Sequence, residues 1–254
     1  MLIIVTWPTA NVPVSNETAA VWQSMGYKVA VVADLPKDAM RGVKADLKWP
    51  MLGTYQGYFR TMNELCKGLV KLYRADIVIA GSDMLLPVRD VRAAGLGAIF
   101  AEWFPSQGFG VMHPCADPWQ PGTGGGYSQE MGYERRMHAT PLSIERCEGA
   151  WLGRRFILEA NGATGPFHGG YDHYFGDVEL HDVAHRLGVL RSVPQVRQER
   201  IHWSRPGHPA IRDYQGKVFD RSYEKDFALW RARKAKEYPG SSNLHLPTTG
   251  LVMP

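Results

Sequence analysis

The chain has 254 residues, of which 44% are hydrophobic and 21% charged. This is the size of one large domain or two small ones, and it suffices to bury a core without disulfides or a structural metal. The composition excludes wholesale disorder, and no window approaches the ~18 uncharged apolar residues that a membrane span needs. Three cysteines, Cys66, Cys115 and Cys147, form no CxxC pair, which favours reduced thiols in a cytoplasmic protein without a signal peptide.

Positive charge is concentrated in the last third of the chain. Residues 181–254 carry 13 Lys and Arg against 7 Asp and Glu, whereas the first 180 residues carry 16 against 18. A basic last third indicates an anionic partner, such as a phosphate-bearing ligand, nucleic acid or a membrane surface. A solvated basic surface on a neutral enzyme would give the same counts.

The first eighty residues alternate strand and helix patterns. In chain order the predicted elements are a strand over 2–6, a helix over 15–25, a strand over 27–33, an irregular stretch over 35–55, a helix over 56–73 and a strand over 75–80. A strand–helix–strand opening with continuous apolar strands predicts a doubly wound α/β domain with parallel strands.

The second half is less regular. Gly and Pro are dense from residue 108 to 132, and a stretch of this length without periodicity predicts a functional loop or lid. Its glycine run at 122–126 lacks the Lys-Ser/Thr of a phosphate-binding P-loop. Further on we predict helices over 151–160, 177–188 and 222–238, a short strand at 189–190, and a Ser/Pro/Thr/Gly tail over 240–254.

Two groups of residues could carry chemistry. Asp83 follows the strand over 75–80, and a carboxylate at the carboxyl end of a strand can hold Mg²⁺ or Mn²⁺ or can cap the loop. The second group is a Gly165-Pro166-Phe167 turn, an aromatic run, and then Asp177 and Glu179 at the start of a helix. Asp177 has the position of an N-cap or first-turn residue of that helix, and it could also serve as a general base.

Together these residues resemble the family-2-like glycosyltransferases of A-type (GT-A) fold. Those enzymes have an acidic metal motif after a central strand and, further along, Gly-Pro-Phe, an aromatic run, an acidic pair and a helix that ends in Gly. Here Gly81-Ser82-Asp83 replaces the usual Asp-x-Asp, and Gly176-Asp177 replaces the usual Glu-Asp. Each motif therefore keeps only its last acid.

The resemblance implies an α/β fold in a single GT-A domain with a mostly parallel central sheet flanked by helices. That domain would cover residues 1–205, with a nucleotide-binding half over 1–90 and an acceptor half over 91–205. Residues 206–254 would be a basic C-terminal extension with a helix, packed on the same domain.

The resemblance also assigns roles. Asp177 would be the catalytic base of an inverting glycosyltransferase, a hexosyl or pentosyl transferase, and Asp83 with His202 would hold Mn²⁺ or Mg²⁺, His208 being the second choice. The nucleotide-sugar donor, a UDP-sugar, would contact Thr6, Trp7, Pro8, Asp34, Arg60, Asn63, Ser82 and Arg205. Trp151 and Glu179 would contact the acceptor. From the residues alone, Trp151 could instead be a core residue, Asp34 a turn residue and His202 a structural one.

The acceptor stays open between three classes. The layout is similar to phage-encoded glycosyltransferases that modify hydroxymethylated pyrimidines in DNA, which would place the enzyme in the host cytoplasm. In that case Arg231, Arg233, Lys234 and Lys236, on the basic face of the 222–238 helix, would face DNA phosphates, unless these charges are merely solvated. One alternative is a glycosyltransferase that acts on a polysaccharide or protein acceptor. The other is a catalytically degraded nucleotide- or nucleic-acid-binding protein on the same fold.

Overall fold

The computed structural model describes residues 1–33, 39–50, 56–83, 85–88, 92–103, 108–116, 149–200 and 212–241. They contain an eight-stranded sheet with the order β3-β2-β1-β4-β7-β6-β8-β5. The strands are β1 (Ile3–Thr9), β2 (Lys28–Ala33), β3 (Leu47–Pro50), β4 (Ile77–Ala80), β5 (Leu85–Val88), β6 (Val111–Ala116), β7 (Trp151–Gly153) and β8 (Leu190–Arg200).

Helices connect these strands. They are α1 (Val12–Ser24), α2 (Tyr58–Tyr73), α3 (Ala93–Trp103), α4 (Arg154–Ala163), α5 (Gly176–Arg186) and α6 (Arg212–Ala235), with a short 3-10 helix at Ala39–Gly42. Within the ranges given above, none of these helices combines the length and the hydropathy that crossing a membrane would take.

The sheet is mixed, with parallel pairing in its first half. Strands β3, β2, β1 and β4 run parallel to one another, and β8 runs parallel to β6. Strand β7 is antiparallel to both β4 and β6, and β5 is antiparallel to β8. The predicted α/β class, with a mostly parallel sheet flanked by helices, is confirmed.

Both faces of the sheet are apolar. Alternate residues of a strand point to opposite faces. On one face, Ile4 and Val78 pack in a cluster with residues of α2, α4 and α5, against which side chains of α6 also lie. On the other face, Val5 and Ile79 pack with residues of α1 and α3. Burial on two sides makes β1 and β4 continuous apolar runs, so both strands are visible in the sequence.

Strand β1 extends past its predicted end at Thr6. The sequence Trp7-Pro8 suggests a break, yet β1 pairs with β2 as far as Thr9. Strand β4 pairs only with the first part of β1, and the Thr6 carbonyl accepts the Gly81 N–H at its end. The backbone nitrogen of Pro8, two residues after Thr6, points to the same side as the Thr6 carbonyl, but β4 has already ended there. The lack of an N–H at Pro8 therefore costs the sheet no hydrogen bond.

Several other predicted elements were wrong in type or extent. The stretch expected to be irregular holds β3, and the expected loop over 108–132 begins with β6, its remainder from residue 117 lying outside the described residues. The segment that begins at Trp151 opens with β7, and helix α4 starts only at Arg154. Elements β5 and α3 were not predicted, and α6 starts earlier than residue 222. Strands β3, β5 and β7 have three or four residues, too few to show a period, whereas β4 lies inside a longer apolar run over 75–80.

Helix α5 begins in direct contact with α2. A Cβ added at Gly176 would lie 2.7 Å from carbons of the Phe59 ring, closer than real side-chain carbons approach. Phe59 is itself buried in the core cluster. This packing leaves no room for a side chain at position 176 unless the Phe59 ring shifts.

Replacement of Gly176 by alanine tests this contact. In Gly176→Ala the new methyl group meets the Phe59 ring, and we expect the free energy of unfolding to fall by about 1–3 kcal/mol in urea denaturation. The control is Gly68→Ala in α2, where nothing lies within 4 Å of the added Cβ. That variant should keep its stability or gain up to about 1 kcal/mol. Equal effects of the two substitutions would contradict the contact.

Candidate functional site

Asp83 lies just beyond the carboxyl end of β4, at the edge of the sheet where open α/β folds bind ligands. The Thr9 hydroxyl donates to Asp83 Oδ2 over 3.0 Å. The Thr18 hydroxyl donates to the Asp83 backbone oxygen over 2.5 Å. The end of β1 therefore holds this half-buried carboxylate, and the middle of α1 holds its backbone.

Gly81 lies two residues before Asp83, and a side chain at Gly81 would point toward the core. A Cβ at this position would lie 3.2 Å from Val5 Cγ2 and 3.6 Å from the Trp7 ring. The first acid of an Asp-x-Asp motif would therefore point into the apolar cluster around Trp7 and not toward solvent. As at Gly176, a side chain at this position would meet the core.

Tyr58 connects this strand end to the second motif. Its phenol donates to the Gly81 carbonyl over 2.7 Å, and its backbone N–H donates to the Asp172 carbonyl over 2.7 Å. Its ring contacts His173 edge-on, with centroids 6.3 Å apart. A single residue of α2 thus spans from the β4 end to the loop that leads into α5.

Helix α2 also holds the Gly-Pro-Phe turn. The Asn63 side chain donates to the Phe167 carbonyl over 2.8 Å and accepts from the Phe167 N–H over 2.9 Å. Arg60 Nε donates to the Gly169 carbonyl over 2.6 Å. Both residues were predicted to lie near the nucleotide, and both are found on the backbone of this turn. Asn63 is buried and Arg60 is exposed.

Asp177 lies half-buried in the first turn of α5. The helix follows Phe175, which has a left-handed backbone with φ of 63° and offers no capping side chain. Acids in a first turn compensate the positive end of the helix dipole, so this position stabilises a carboxylate.

Glu179, two residues further along α5, has a structural position. Its side chain is 2% exposed and pairs with Arg233 of α6 at 2.7 Å, and it accepts the Tyr171 hydroxyl over 2.6 Å. Burial, and then the Glu179 charge, raise the pKa of Tyr171, so the phenol remains a donor. An acceptor substrate has no access to Glu179 in this arrangement, which corrects the expected acceptor contact.

Trp151 and the first residues predicted around the donor also point inward. Trp151 is fully buried in β7, edge-to-face with Tyr27 at 5.8 Å, so no acceptor can stack on it. Thr6 and Trp7 are fully buried inside β1, and the Trp7 indole N–H donates to Ser15 Oγ over 3.0 Å.

The remaining predicted site residues divide into two groups. Pro8 and Ser82 are half-buried near the sheet edge. Asp34, His202 and Arg205 lie outside the described residues, as does His208.

The described residues include one of the two predicted metal ligands, Asp83. Among the residues that the structure describes, no three His, Cys, Asp or Glu side chains gather as a metal cluster. Asp83 supplies a carboxylate at the open edge of the sheet. Hard cations such as Mg²⁺ keep several waters and take one or two carboxylates together with substrate phosphates, so the residues present suit a metal that arrives with a phosphorylated ligand.

The basic face of α6 is smaller than predicted. Arg233 has a side chain only 11% exposed and is committed to Glu179, which corrects its assignment to the surface. Lys234 lies 4.7 Å from the Trp230 ring centre and 3.6 Å from Asp182. Arg231 and Lys236 are exposed. The sequence alone does not distinguish Arg233, which is paired with Glu179, from the exposed basic residues beside it on α6.

The apolar face of α6 packs as its spacing predicts. Tyr223, Phe227 and Trp230 surround the Phe175 ring with centroid distances of 5.5, 5.5 and 5.3 Å. Since Phe175 stands two residues before Asp177, this cluster ties the extension directly to the candidate site.

Two residues of the site were missed in the sequence. Thr9 lies beyond the predicted end of the first strand at residue 6, and Tyr58 is predicted only as part of the helix over 56–73. A tyrosine next to the glycine that opens α2 is the only local signal among them, and it does not reveal a partner more than twenty residues away.

Comparison with known proteins gives structural likenesses only. No protein-family model matches the chain, and no curated protein matches it. Among solved structures it is similar to glucosyl-3-phosphoglycerate synthase from Mycobacterium tuberculosis, in a complex with Mn²⁺, UDP-glucose and phosphoglyceric acid, with 14% identity, a TM-score of 0.49, and 85% of this chain and 75% of that chain covered. It is also similar to a mycobacterial protein, with 13% identity, a TM-score of 0.46, and 81% and 68% covered.

Proposed function

We propose that this chain is a metal-dependent, inverting glycosyltransferase of GT-A type that moves a sugar from a nucleotide-sugar donor to an acceptor hydroxyl. The observation that carries the proposal is the bridge made by Tyr58 between Gly81 and Asp172. Asp83 lies two residues beyond one end of the bridge, and Asp177 lies five residues beyond the other. The two motifs that resemble the donor and catalytic motifs of the family therefore lie on either side of one residue, Tyr58.

Asp177 would act as the general base. Its carboxylate takes the proton of the acceptor hydroxyl while that oxygen bonds to the anomeric carbon and the bond to the donor diphosphate breaks. A single displacement from the opposite face inverts the anomeric configuration. Of the two acids at the start of α5, Glu179 has a side chain only 2% exposed, whereas Asp177 is half-buried in the first turn, where an acceptor hydroxyl can approach its carboxylate.

Asp83, with His202 as the proposed second ligand, would hold Mn²⁺ or Mg²⁺. Such a metal acts as a Lewis acid that stabilises the charge of the leaving diphosphate. Thr9 and Thr18 fix the Asp83 carboxylate and its backbone before any ligand binds, which reduces the entropy lost on binding.

The proposed donor contacts are those that remain open at the sheet edge. They are Pro8, Ser82 and exposed Arg60, with Asp34 and Arg205 in addition, and the proposed donor is a UDP-sugar. A carboxylate such as Asp34 can accept from ribose hydroxyls, and Arg205 can donate to a diphosphate. Thr6 and Trp7 are buried in β1 just before Pro8, and Asn63 is buried against the Phe167 backbone, so these three residues are not proposed to contact the donor directly.

DNA that carries a hydroxymethylated pyrimidine is the proposed acceptor. The exposed cations on α6, Arg231 and Lys236, can contact phosphates without reading sequence. The modified group projects into the major groove, where the 5-position of a pyrimidine is exposed. The contacts between α6 and the loop before Asp177 bring these cations and the proposed base onto one rigid assembly.

The first prediction concerns Asp177. Asp177→Asn keeps the shape of the side chain and removes the base, so transfer should fall by about 10²–10⁴-fold while donor affinity stays the same. Transfer and release of nucleoside diphosphate are measured across a panel of nucleotide sugars with Mn²⁺. Glu64→Gln is the control, because Glu64 is a carboxylate on α2 with a side chain 79% exposed. Full turnover by a folded Asp177→Asn would refute the assignment, and absence of any donor cleavage by the wild type would favour a binding protein.

The second prediction concerns the metal. In Asp83→Ala the hard ligand is removed, so titration calorimetry should show donor affinity weakened at least tenfold with Mn²⁺ present and little changed when Mn²⁺ is replaced by EDTA. The same comparison with His202→Ala tests the second ligand. Thr18→Val, which removes only the hydroxyl on the Asp83 backbone, should retain most of the metal dependence. Identical affinities of Asp83→Ala and wild type with Mn²⁺ would exclude Asp83 as a ligand.

The third prediction concerns DNA. In the double variant Arg231→Glu with Lys236→Glu, Arg233 is left intact, and transfer to hydroxymethylated duplex should fall at physiological salt. The slope of log affinity against log salt should become shallower by about one for each phosphate that is no longer neutralised. Reversal of exposed Lys44 and Lys71, outside α6, matches the change in net charge and should leave the slope unaltered. An unchanged slope in the α6 variant, or no transfer to any DNA by the wild type, would rule out this acceptor.

A further inference from the structure

A fully buried carboxylate supports the loop that precedes Asp177. Asp226 of α6 is 0% exposed. It accepts the backbone N–H of Asp172 at 3.1 and 3.2 Å, that of His173 at 2.8 Å and that of Tyr174 at 2.9 Å. Three successive N–H groups thus converge on one anion, which is the backbone arrangement known as a nest.

A carboxylate is well suited to accept these three backbone N–H groups. A buried carboxylate is costly unless hydrogen bonds replace its water, and here the replacement comes from the main chain of the loop. Lys225, the preceding residue, pairs with the Asp172 side chain at 2.5 Å. Glu224, before it, is exposed to solvent. Of the neighbouring residues 224–226 of α6, Asp226 is therefore the one directed inward, onto the loop.

The peptide of Asp172 is held from two sides. Its N–H is bound by Asp226 of α6, and its carbonyl accepts the Tyr58 N–H of α2. Phe175 then packs against Trp230, with the rings stacked at 5.3 Å, and Gly176 abuts Phe59. The loop is consequently fixed along its length up to the residue before Asp177.

We propose that Asp226 is a positioning residue, which sets the backbone of 172–174 and through it the placement of Asp177 in the first turn of α5. This inference rests on the proposed role of Asp177, but the fixing of the loop can be tested without any activity. It gives the basic extension a part in the reaction that is separate from contact with an acceptor.

The first test is amide hydrogen exchange of the wild-type chain. If Asp226 holds the loop, the amides of His173 and Tyr174 exchange on the order of a hundredfold slower than in an unstructured peptide. Exchange at the unstructured rate would overturn the proposal, whatever the variants do.

The second test compares Asp226→Asn with Glu224→Gln, which makes the same change of charge on the same helix. In Asp226→Asn the amides of 172–174 should exchange about tenfold or more faster, since hydrogen bonds to a charged acceptor are the stronger ones. In Glu224→Gln they should exchange as in the wild type. Asp226→Glu retains the charge and should lie between the two. Wild-type protection in a folded Asp226→Asn would overturn the proposal, and if that variant does not fold, the wild-type exchange rates decide.

Kinetics separate positioning from general stability. With Asp226→Asn, kcat should fall by about 10–100-fold while KM for the donor stays unchanged, because a small displacement of a catalytic group is costly and the proposed donor contacts lie elsewhere. A change in donor KM alone would contradict the role. If the wild type transfers no sugar, the proposed function fails, and the exchange experiments still judge the loop.

Discussion

The candidate site depends on one buried amide. Asn63 uses both ends of its side chain on the backbone of Phe167, 104 residues further along the chain. A connection such as the one between α4 and α5 has few partners of its own for its backbone groups, and buried polar groups must be paired. Side chains of α2 and α6 provide the pairing, so the shape of this connection is imposed by its neighbours on both sides.

Two buried acids fix how α6 lies against the rest of the molecule. Glu179 belongs to α5 and finds its partner on α6, whereas Asp226 belongs to α6 and finds its partners just before α5. A shift of α6 by one helical turn would break both interactions and leave charges buried without partners. Breaking one buried pair by removing a partner typically costs about 3–5 kcal/mol, so the register of the helix is electrostatically defined.

What could be predicted from the sequence follows from the range of each signal. The long apolar strands β1, β2 and β4 and the amphipathic helix α2 are local patterns, and they are present. Asp83 and Asp177 were placed correctly at the ends of their elements, because strand ends and helix starts are also local. The short strand β7 has too few residues for a period, and β1 continues through Pro8 only because β4 has ended beside it.

Burial depends on partners that the sequence does not reveal. Glu179 and Arg233 look like two surface charges until their elements are brought together across 54 residues. Trp7 and Trp151 carry polar ring atoms and could stack on a ligand, but the sheet buries both. Gly81 and Gly176 depend on such partners too, since a Cβ added at either position would meet a core ring that lies elsewhere in the chain.

The nest at 172–174 has a consequence for the order of events during synthesis. Residues 172–174 are synthesised more than fifty positions before Asp226, so their N–H groups have no carboxylate to bind while α6 is still untranslated. The loop before Asp177 therefore receives its carboxylate only when α6 has been translated, and the candidate site is completed after all eight strands of the sheet have been made.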